Sequence, residues 1–275
     1  MSHSDSPIGI FDSGFGGLSV MNAIKKALPF ENIIYFGDTA RIPYGTKSQE
    51  TILKYAIENA SFLMSQNIKV LVVACHTASC LTLDKLQELF PIPIIGVTHS
   101  AVEQITHLPA PKNIAVLGTR STIDSGIYQS LIHKRLPETH VVGLACQLFV
   151  SLVEEGYIDH PLTTLAIADY FKHLQNTPPD TLLLGCTHFP LLSSQIQSYF
   201  THPITLIDPA IGCASALQEL LKKLELLRTF STEPISQFYV SDAPEKFQIL
   251  GQRFFSYPIT NVQKVDSSLF SLASS

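Results

Sequence analysis

The sequence predicts an α/β protein with two similar halves, each built on a mostly parallel sheet. Short runs rich in isoleucine, valine and leucine alternate with longer segments of helical periodicity over most of the 275 residues. The runs lack apolar–polar alternation, which indicates strands covered on both faces. A weak internal repeat also relates the two halves. We therefore expect two three-layer α/β domains with pseudo-symmetry.

Each predicted strand is a short, continuous apolar run. The runs lie at residues 7–11, 32–36, 69–74, 92–97, 113–118, 140–144, 181–185, 204–208 and 237–241. Helices are predicted at residues 17–28, 48–66, 77–89, 99–107, 122–134, 147–155, 161–174, 190–199, 210–228 and 244–255. The spacing of Thr46 and Gln49 predicts a capping box at the start of the second helix. Asp208 followed by Pro209 predicts an N-cap with a proline in the first turn.

The composition argues against several classes of protein. Hydrophobic residues make up 45% of the chain and charged residues 15%, which is too apolar for a disordered chain. The apolar runs fall far short of the ~20 residues of a membrane-spanning helix, so no membrane partner is expected. The net charge of -5 and the lack of a basic stripe argue against direct nucleic-acid binding.

The cysteines indicate a reduced protein. There are five, at irregular spacing, which is not typical of a disulfide framework. The first residues carry neither the basic nor the apolar segment of a secretion signal, so we expect a cytoplasmic protein. Cys80, Cys146 and Cys213 have no distinctive setting and are assigned no role.

Cys75 and Cys186 stand out because the internal repeat places them at equivalent positions. VVACHT at 72–77 resembles LLGCTH at 183–188, and each cysteine follows a predicted strand and precedes a predicted helix. Ligands of open α/β sheets bind at the carboxyl ends of the strands. Two such domains facing each other would bring the cysteines to opposite sides of one cleft.

Two facing thiols can invert a carbon centre. A thiolate removes the α-proton from one face of an amino acid, and the opposite thiol delivers a proton to the other face. Helix N-termini lower thiol pKa values and bind anions, which suits this role. The alternative is that each cysteine is a small core residue, which is the commoner case for a lone cysteine. The matched settings of Cys75 and Cys186 favour the catalytic interpretation.

Other polar residues near the predicted strand ends are weaker candidates. Asp12 could orient a substrate ammonium group or assist Cys75, or it could cap the next helix. The Tyr44 hydroxyl and the Gly45 amide could hold a second carboxylate, or could belong to an ordinary solvent loop. His188 could share a proton with Cys186.

A metal site is a further alternative. Cys75, His76, Cys186 and His188 would make a Cys₂His₂ set. Adjacent Cys-His and Cys-x-His spacings are unusual for zinc, so this alternative is disfavoured.

Taken together, six segments resemble the glutamate racemases of the aspartate/glutamate racemase superfamily. They run in the family's order and are IGIFDSGFGGLSV (8–20), YFGDTARIPYGTKS (35–48), VVACHTAS (72–79), VLGTRSTIDSGIY (116–128), LVEEG (152–156) and LGCTHFPLL (184–192). The resemblance implies interconversion of L- and D-glutamate to supply D-glutamate for peptidoglycan. It also implies two thiol bases, no cofactor such as pyridoxal phosphate, no metal, and a homodimer.

The resemblance also assigns roles to particular residues. Cys75 and Cys186 would be the acid/base pair, with Asp12, Glu154 and His188 as auxiliary ionisable groups. The implied substrate contacts are Asp12, Ser13, Pro43, Tyr44, Gly45, His76, Thr77, Thr119, Thr122, Thr187 and His188. The active site would lie in the cleft between a first domain of residues 1–98 plus 210–275 and a second of residues 99–209.

One residue departs from the family pattern. The first cysteine motif usually reads Ala-Cys-Asn-Thr-Ala, and here His76 replaces the asparagine. We expect His76 to keep a hydrogen bond to the substrate while it reshapes the pocket or makes activity more pH-sensitive. Two alternatives stay open. The chain could racemise another acidic amino acid such as aspartate, or it could be a binding or regulatory protein of the same fold with weakened catalysis.

Overall fold

Parallel strands form the framework of the protein. The computed structural model describes residues 3–109, 111–229 and 232–266, and within them every strand pairing is parallel. The strands are β1 (Ile8–Asp12), β2 (Ile33–Gly37), β3 (Val70–Val73), β4 (Ile94–Gly96), β5 (Asn113–Gly118), β6 (His140–Ala145), β7 (Thr181–Gly185), β8 (Thr205–Ile207), β9 (Ser236–Val240) and β10 (Val262–Lys264). The predicted α/β class with parallel sheets is confirmed.

The strands divide into two sheets. The first has the order β10-β9-β2-β1-β3-β4, and the second has the order β6-β5-β7-β8. The late strands β9 and β10 extend the first sheet beside β2. The domain boundaries, 1–98 with 210–275 and 99–209, stay a prediction. Parts of these ranges lie outside the described residues, at 1–2, 110, 230–231 and 267–275.

Helices cover the first sheet on both faces. The helices are α1 (Leu18–Ala27), α2 (Gln49–Ser65), α3 (His76–Leu89), α4 (Val97–Thr106), α5 (Arg120–Asp124), α6 (Ile127–Arg135), α7 (Gln147–Glu154), α8 (Pro161–Phe171), α9 (Ser193–Tyr199), α10 (Pro209–Lys223) and α11 (Pro244–Gly251). On β3, Val72 belongs to the apolar cluster that contains Leu18 of α1. Its neighbour Val73 belongs to a second cluster with Ile52 of α2. Alternate side chains thus enter two cores, as a three-layer arrangement requires.

Several helix boundaries differ from the prediction. The single helix expected at 122–134 is two helices, α5 and α6, because Gly126 between them adopts a left-handed φ of 65°. The helix expected at 210–228 ends at Lys223. The strand β10 was not predicted, because its sequence Val-Gln-Lys has no continuous apolar run.

The two predicted helix caps have opposite outcomes. The capping box at Thr46 is wrong, since Thr46 lies in a short 3₁₀ turn and Ser48 is the N-cap of α2. The Ser48 hydroxyl accepts a hydrogen bond from the Thr51 amide at 3.3 Å. The cap at Asp208 is confirmed, with the Ala210 amide donating to Asp208 Oδ1 at 2.9 Å and Pro209 in the first turn.

Candidate active site

The carboxyl ends of the two sheets meet around one small cavity. Its volume is about 30 Å³, and it is lined by Ser13, Pro43, Tyr44, Gly45, Cys75, His76, Thr77, Thr119, Gln147, Val150, Cys186, Thr187 and His188. This space holds about two water molecules at ~10–15 Å³ each. The structure is therefore a closed form, in which the surrounding side chains nearly fill the site.

The cavity brings together almost all of the residues predicted from sequence. Cys75 follows β3 and Cys186 follows β7, and both sulfur-bearing side chains are buried at its wall. Three predicted residues, Asp12, Thr122 and Glu154, do not line it. Each interacts with a residue that does: Asp12 with Cys75 through its charge, Thr122 with Thr119, and Glu154 with His188. Their catalytic and binding roles stay predictions.

Two lining residues were missed. Gln147 is the first residue of α7 and follows β6, and Val150 lies one turn further along the same helix. The rule that parallel sheets bind ligands at their carboxyl ends would have found Gln147, because it stands at such an end. The local sequence around Val150 is ordinary helix, and only the fold brings it to the cavity.

The surroundings of Cys75 keep its thiol protonated. Cys75 is the N-cap of α3, and the Ala78 backbone amide and the Ser13 hydroxyl favour its thiolate. Burial works against the thiolate more strongly and, together with the nearby Asp12 carboxylate, raises the pKa of Cys75 to about 12. The helix N-terminus thus favours the thiolate as expected, but burial outweighs it, and the expected net lowering of the pKa of Cys75 is wrong.

Cys186 stands beside a histidine that is itself held by a carboxylate. His188 Nδ1 lies 3.8 Å from Cys186 Sγ, and His188 Nε2 lies 3.2 Å from Glu154 Oε1. Burial lowers the pKa of His188, but the contacts with Cys186 and Glu154 outweigh it and raise that pKa to about 10. His188 is therefore protonated at neutral pH and can donate to both partners.

The helix expected directly after Cys186 is replaced by a turn. A 3₁₀ segment at Phe189–Leu192 comes first, and α9 begins only at residue 193. The two cysteines thus have different surroundings. Cys75 has a helix N-terminus, whereas Cys186 has the charged His188 ring.

Asp12 is a buried carboxylate with an unused oxygen. Its Oδ2 accepts a hydrogen bond from the Gly14 amide at 2.9 Å. Among the described residues, its Oδ1 has no hydrogen-bond partner. Burial raises the pKa of Asp12, while the charge on His188 and backbone amides lower it. A buried acceptor without a partner is costly, so an arriving donor would be favoured there.

His76 lines the cavity in a neutral state. Its Nδ1 lies 2.7 Å from the Tyr128 hydroxyl. Burial lowers the pKa of His76 to about 3, so the ring does not titrate near neutral pH. The expected pH sensitivity of activity through His76 is not supported, whereas a hydrogen bond from His76 to the substrate stays a prediction.

Three threonine hydroxyls form a closed triangle beside the cavity. Thr77 Oγ1 lies 2.9 Å from Thr119 Oγ1 and 3.2 Å from Thr122 Oγ1, and the last two are 2.9 Å apart. Thr77 comes after β3 of the first sheet, whereas Thr119 and Thr122 come after β5 of the second. The triangle therefore links the two halves of the protein.

Tyr44 and Gly45 both lie at the cavity, and each also makes a structural contact. The Tyr44 hydroxyl donates to Asp38 and accepts from Asn59 Nδ2, so it is occupied by structural partners. Its proton is thus used by Asp38, and a contact between this hydroxyl and a substrate carboxylate stays a prediction. A Cβ on Gly45 would lie 2.5 Å from Thr119 Cβ, so only glycine permits this approach between the halves.

The metal alternative finds no suitable set of ligands. Within residues 3–109, 111–229 and 232–266, no group of three or more His, Cys, Asp and Glu side chains is arranged to hold a metal ion.

In the same ranges, no helix is both long and apolar enough to span a bilayer.

Comparison with known proteins assigns the chain to a family. The sequence profile of the family described as Asp/Glu/Hydantoin racemase matches residues 8–217. The chain belongs to this family. It is also 45% identical to a glutamate racemase from Chlorobaculum parvum over 263 residues, which cover 95% of this chain and 97% of the relative.

Solved structures agree with the assignment to the racemase family. The glutamate racemase from Francisella tularensis, in complex with D-glutamate, has a TM-score of 0.90 and 38% identity over 96% of this chain and 98% of its own. A glutamate racemase isoform from Bacillus anthracis has a TM-score of 0.91 and 35% identity over 96% and 99%. The predicted two-domain racemase fold is confirmed.

Proposed function

We propose that this protein is a cofactor-independent glutamate racemase that interconverts L- and D-glutamate. One observation carries the proposal: Cys75 and Cys186, at equivalent strand ends of two sheets, line the same buried cavity. The relatives named above support glutamate as the substrate, because they are glutamate racemases that align over nearly the whole chain.

The two thiols supply both proton transfers. In one direction, the thiolate of one cysteine takes the α-proton, and the C–H electron pair stays on the α-carbon as a carbanion. The other cysteine then donates its S–H proton to the opposite face, which forms the new C–H bond and leaves a thiolate. The reverse reaction uses the opposite protonation states, so each thiol is acid and base in turn.

Each thiol has its own auxiliary group. Asp12 lies close enough to Cys75 to raise the pKa of that thiol, and we assign it to the first half-site. His188, held by Glu154, serves Cys186 in the second half-site as a charged hydrogen-bond donor. The unused Oδ1 of Asp12 is our candidate acceptor for the substrate ammonium group.

The substrate carboxylates require donors that the cavity wall can supply. The hydroxyls of Ser13, Thr77, Thr119 and Thr187 and the ring of His76 stand at or beside the cavity. We assign the substrate carboxylates to these groups and to the Gly45 amide. Fixed donors in a site without bulk water stabilise the charge that develops on the α-carbon and its carboxylate.

The cavity must widen to admit an amino acid. A volume of about 30 Å³ is far smaller than glutamate, so the halves separate to bind and close again for the proton transfers. Closure removes water, and a desolvated thiolate is a stronger base than one in water. This dryness suits the removal of a weakly acidic α-proton.

The wider setting follows from the family. We propose that the product D-glutamate is used in peptidoglycan synthesis, that the reaction takes place in the cytoplasm, and that the chain works as a homodimer. The relatives that align over nearly the whole chain are bacterial glutamate racemases, which supports the first of these.

The decisive experiment is a solvent-exchange assay. Purified protein is incubated in D₂O with L-glutamate, and in parallel with L-aspartate, without added cofactor. Chiral separation and mass spectrometry should find D-glutamate that carries deuterium at Cα. Binding without deuterium incorporation would favour the regulatory alternative, and faster formation of labelled D-aspartate would favour the other acidic substrate.

A further inference from the structure

The segment after α11 runs along the outer side of the Glu154–His188 pair. Arg253 Nη1 donates to the backbone oxygens of Val153 at 3.2 Å and of Glu154 at 3.1 Å. These are the last two residues of α7. The final carbonyls of a helix lack partners within the helix, and a cation there is favoured by the helix dipole. Arg253 therefore holds the end of the helix that carries Glu154.

The Arg253 guanidinium packs against Gly156, which has no side chain to block it. Gly156 has a φ of 81°, and a Cβ built on it would lie 2.9 Å from Arg253 Nη2 and 3.0 Å from Nη1. Any larger residue would be strained at this φ and would also push Arg253 away. Arg253 and Gly156 thus form one fitted contact just beyond Glu154.

Phe254, the residue after Arg253, contacts His188, the other member of the Glu154–His188 pair. The Phe254 ring packs edge-on against His188, with centroids 5.4 Å apart at an angle of 78°. Phe15 contacts the same imidazole at 6.0 Å and also contacts Phe254. The flanking rings restrict the orientation of His188 so that Nδ1 and Nε2 reach Cys186 and Glu154.

We propose that Arg253 is a positioning residue for the Cys186 half-site. By fixing the end of α7, it keeps Glu154 within hydrogen-bond distance of His188, and His188 then serves Cys186. This inference rests on the proposed racemase function, but it names a residue outside the cavity lining. The charged and titratable groups that face His188 are Asp12, Glu154 and Cys186.

The test compares Arg253→Gln with Arg253→Lys and with a matched control. Lys246→Gln removes a charge from an exposed position on α11 and should leave activity unchanged. In metal sites, replacing the group that hydrogen-bonds the outer nitrogen of a ligating histidine lowers affinity or activity about 10–100-fold. By analogy, we expect Arg253→Gln to lower kcat/KM by about tenfold. Lysine can reach one carbonyl, so Arg253→Lys should recover part of the loss.

The pH profile gives a readout that a merely structural role would not move. Loosening Glu154 lowers the pKa of His188 from its raised position. The alkaline limb of kcat/KM should therefore move to lower pH by about one unit in Arg253→Gln. Glu154→Gln should produce the same displacement, and the double variant should lose little more than either single variant.

Three outcomes overturn the inference. These are an unchanged alkaline limb, a loss that is fully additive with that of Glu154→Gln, and a loss that Arg253→Lys does not reduce. If Arg253→Gln does not fold, Gly156→Ala tests the same contact with the charge retained. If the wild type itself does not racemise glutamate, the proposed function fails. An NMR titration of the His188 ring in wild type and Arg253→Gln then still tests the positioning, since the pKa of His188 should be lower in the variant and an unchanged pKa would overturn the inference.

Discussion

His76 Nδ1 lies 2.7 Å from the Tyr128 hydroxyl, which ties α3, at the end of the first sheet, to α6, beside the second. Both side chains are buried, and His76 also faces the cavity. A hydroxyl that donates to Nδ1 leaves the hydrogen of a neutral ring on Nε2. The contact therefore couples the tautomer of His76 to the direction in which the Tyr128 hydroxyl points.

Removal of the Tyr128 hydroxyl should weaken substrate binding. We expect Tyr128→Phe to raise KM for glutamate about fivefold, because one hydrogen bond contributes ~1 kcal/mol to the orientation of His76. Steady-state kinetics by chiral chromatography measure the effect. Tyr199→Phe, which removes a hydroxyl from α9, is the matched control. A KM within twofold of the wild type in Tyr128→Phe would show that His76 does not depend on this contact.

His76 should make the protein less stable in acid. Its pKa is about 3 in the folded state and about 6.5 when unfolded, so its cost is absent above pH 6.5. As pH falls from 6.5 toward 3, the unfolded chain takes up the proton and stability is lost, by ~2 kcal/mol at pH 5.

His76→Asn should remove that loss. Urea unfolding at pH 7 and pH 5 should show a smaller decrease in the variant than in the wild type. His140→Asn, at an exposed position on β6, should leave the difference between the two pH values unchanged. An equal decrease in wild type and His76→Asn would contradict the neutral, buried state of the ring.

Replacement of either catalytic candidate should slow both directions equally and give a substrate isotope effect in only one of them. Cys75→Ser and Cys186→Ser should each lower kcat/KM by about 10²–10⁴-fold. Because the enantiomers are equally stable, this loss is the same in both directions. The two directions differ when the substrate carries deuterium at Cα. The isotope effect on kcat/KM should be large only for the enantiomer whose α-proton is removed by the altered residue.

The two variants should therefore show opposite enantiomer preferences in the isotope experiment. Cys80→Ser is the control, since Cys80 lies outside the cavity lining and has Thr98 as a partner for a new hydroxyl. Equal isotope effects with L- and D-glutamate in both variants would contradict the assignment of two bases.

Gly45→Ala should separate activity from stability. The new methyl group would lie 2.5 Å from Thr119 Cβ and would hold the halves apart at the cavity. We expect a loss of ~1–3 kcal/mol in stability and at least a tenfold fall in kcat/KM. Gly126→Ala, strained by its φ of 65° but free of close contacts, should lose ~1–2 kcal/mol and keep its activity. Full activity in Gly45→Ala would show that tight closure is not needed.

The sequence predicted the framework and the centre of the site because both depend on local patterns. Continuous apolar runs identified nearly every strand, and the repeat around Cys75 and Cys186 identified the thiol pair. Residues at the carboxyl ends of strands then converged, as parallel topology requires.

The rest of the site depends on contacts between distant segments. Nothing near Tyr128 or Arg253 in sequence shows that one meets His76 and the other meets the end of α7. The hydroxyl of Tyr44 looked available until the fold placed Asp38 against it. Burial, which decides the pKa of Cys75, is likewise a property of the folded chain and outweighed the local effect of the helix N-terminus.

The triangle of Thr77, Thr119 and Thr122 connects the two halves through hydrogen bonds between uncharged groups. Its three hydrogen bonds join neutral groups, as does the bond between His76 and Tyr128. Dissolved ions screen charges and leave such bonds nearly untouched. These neutral bonds should therefore be about as strong in concentrated salt as in dilute buffer, whereas the charged contacts between the halves, of Arg253 with the end of α7 and of Asp12 with His188, should weaken.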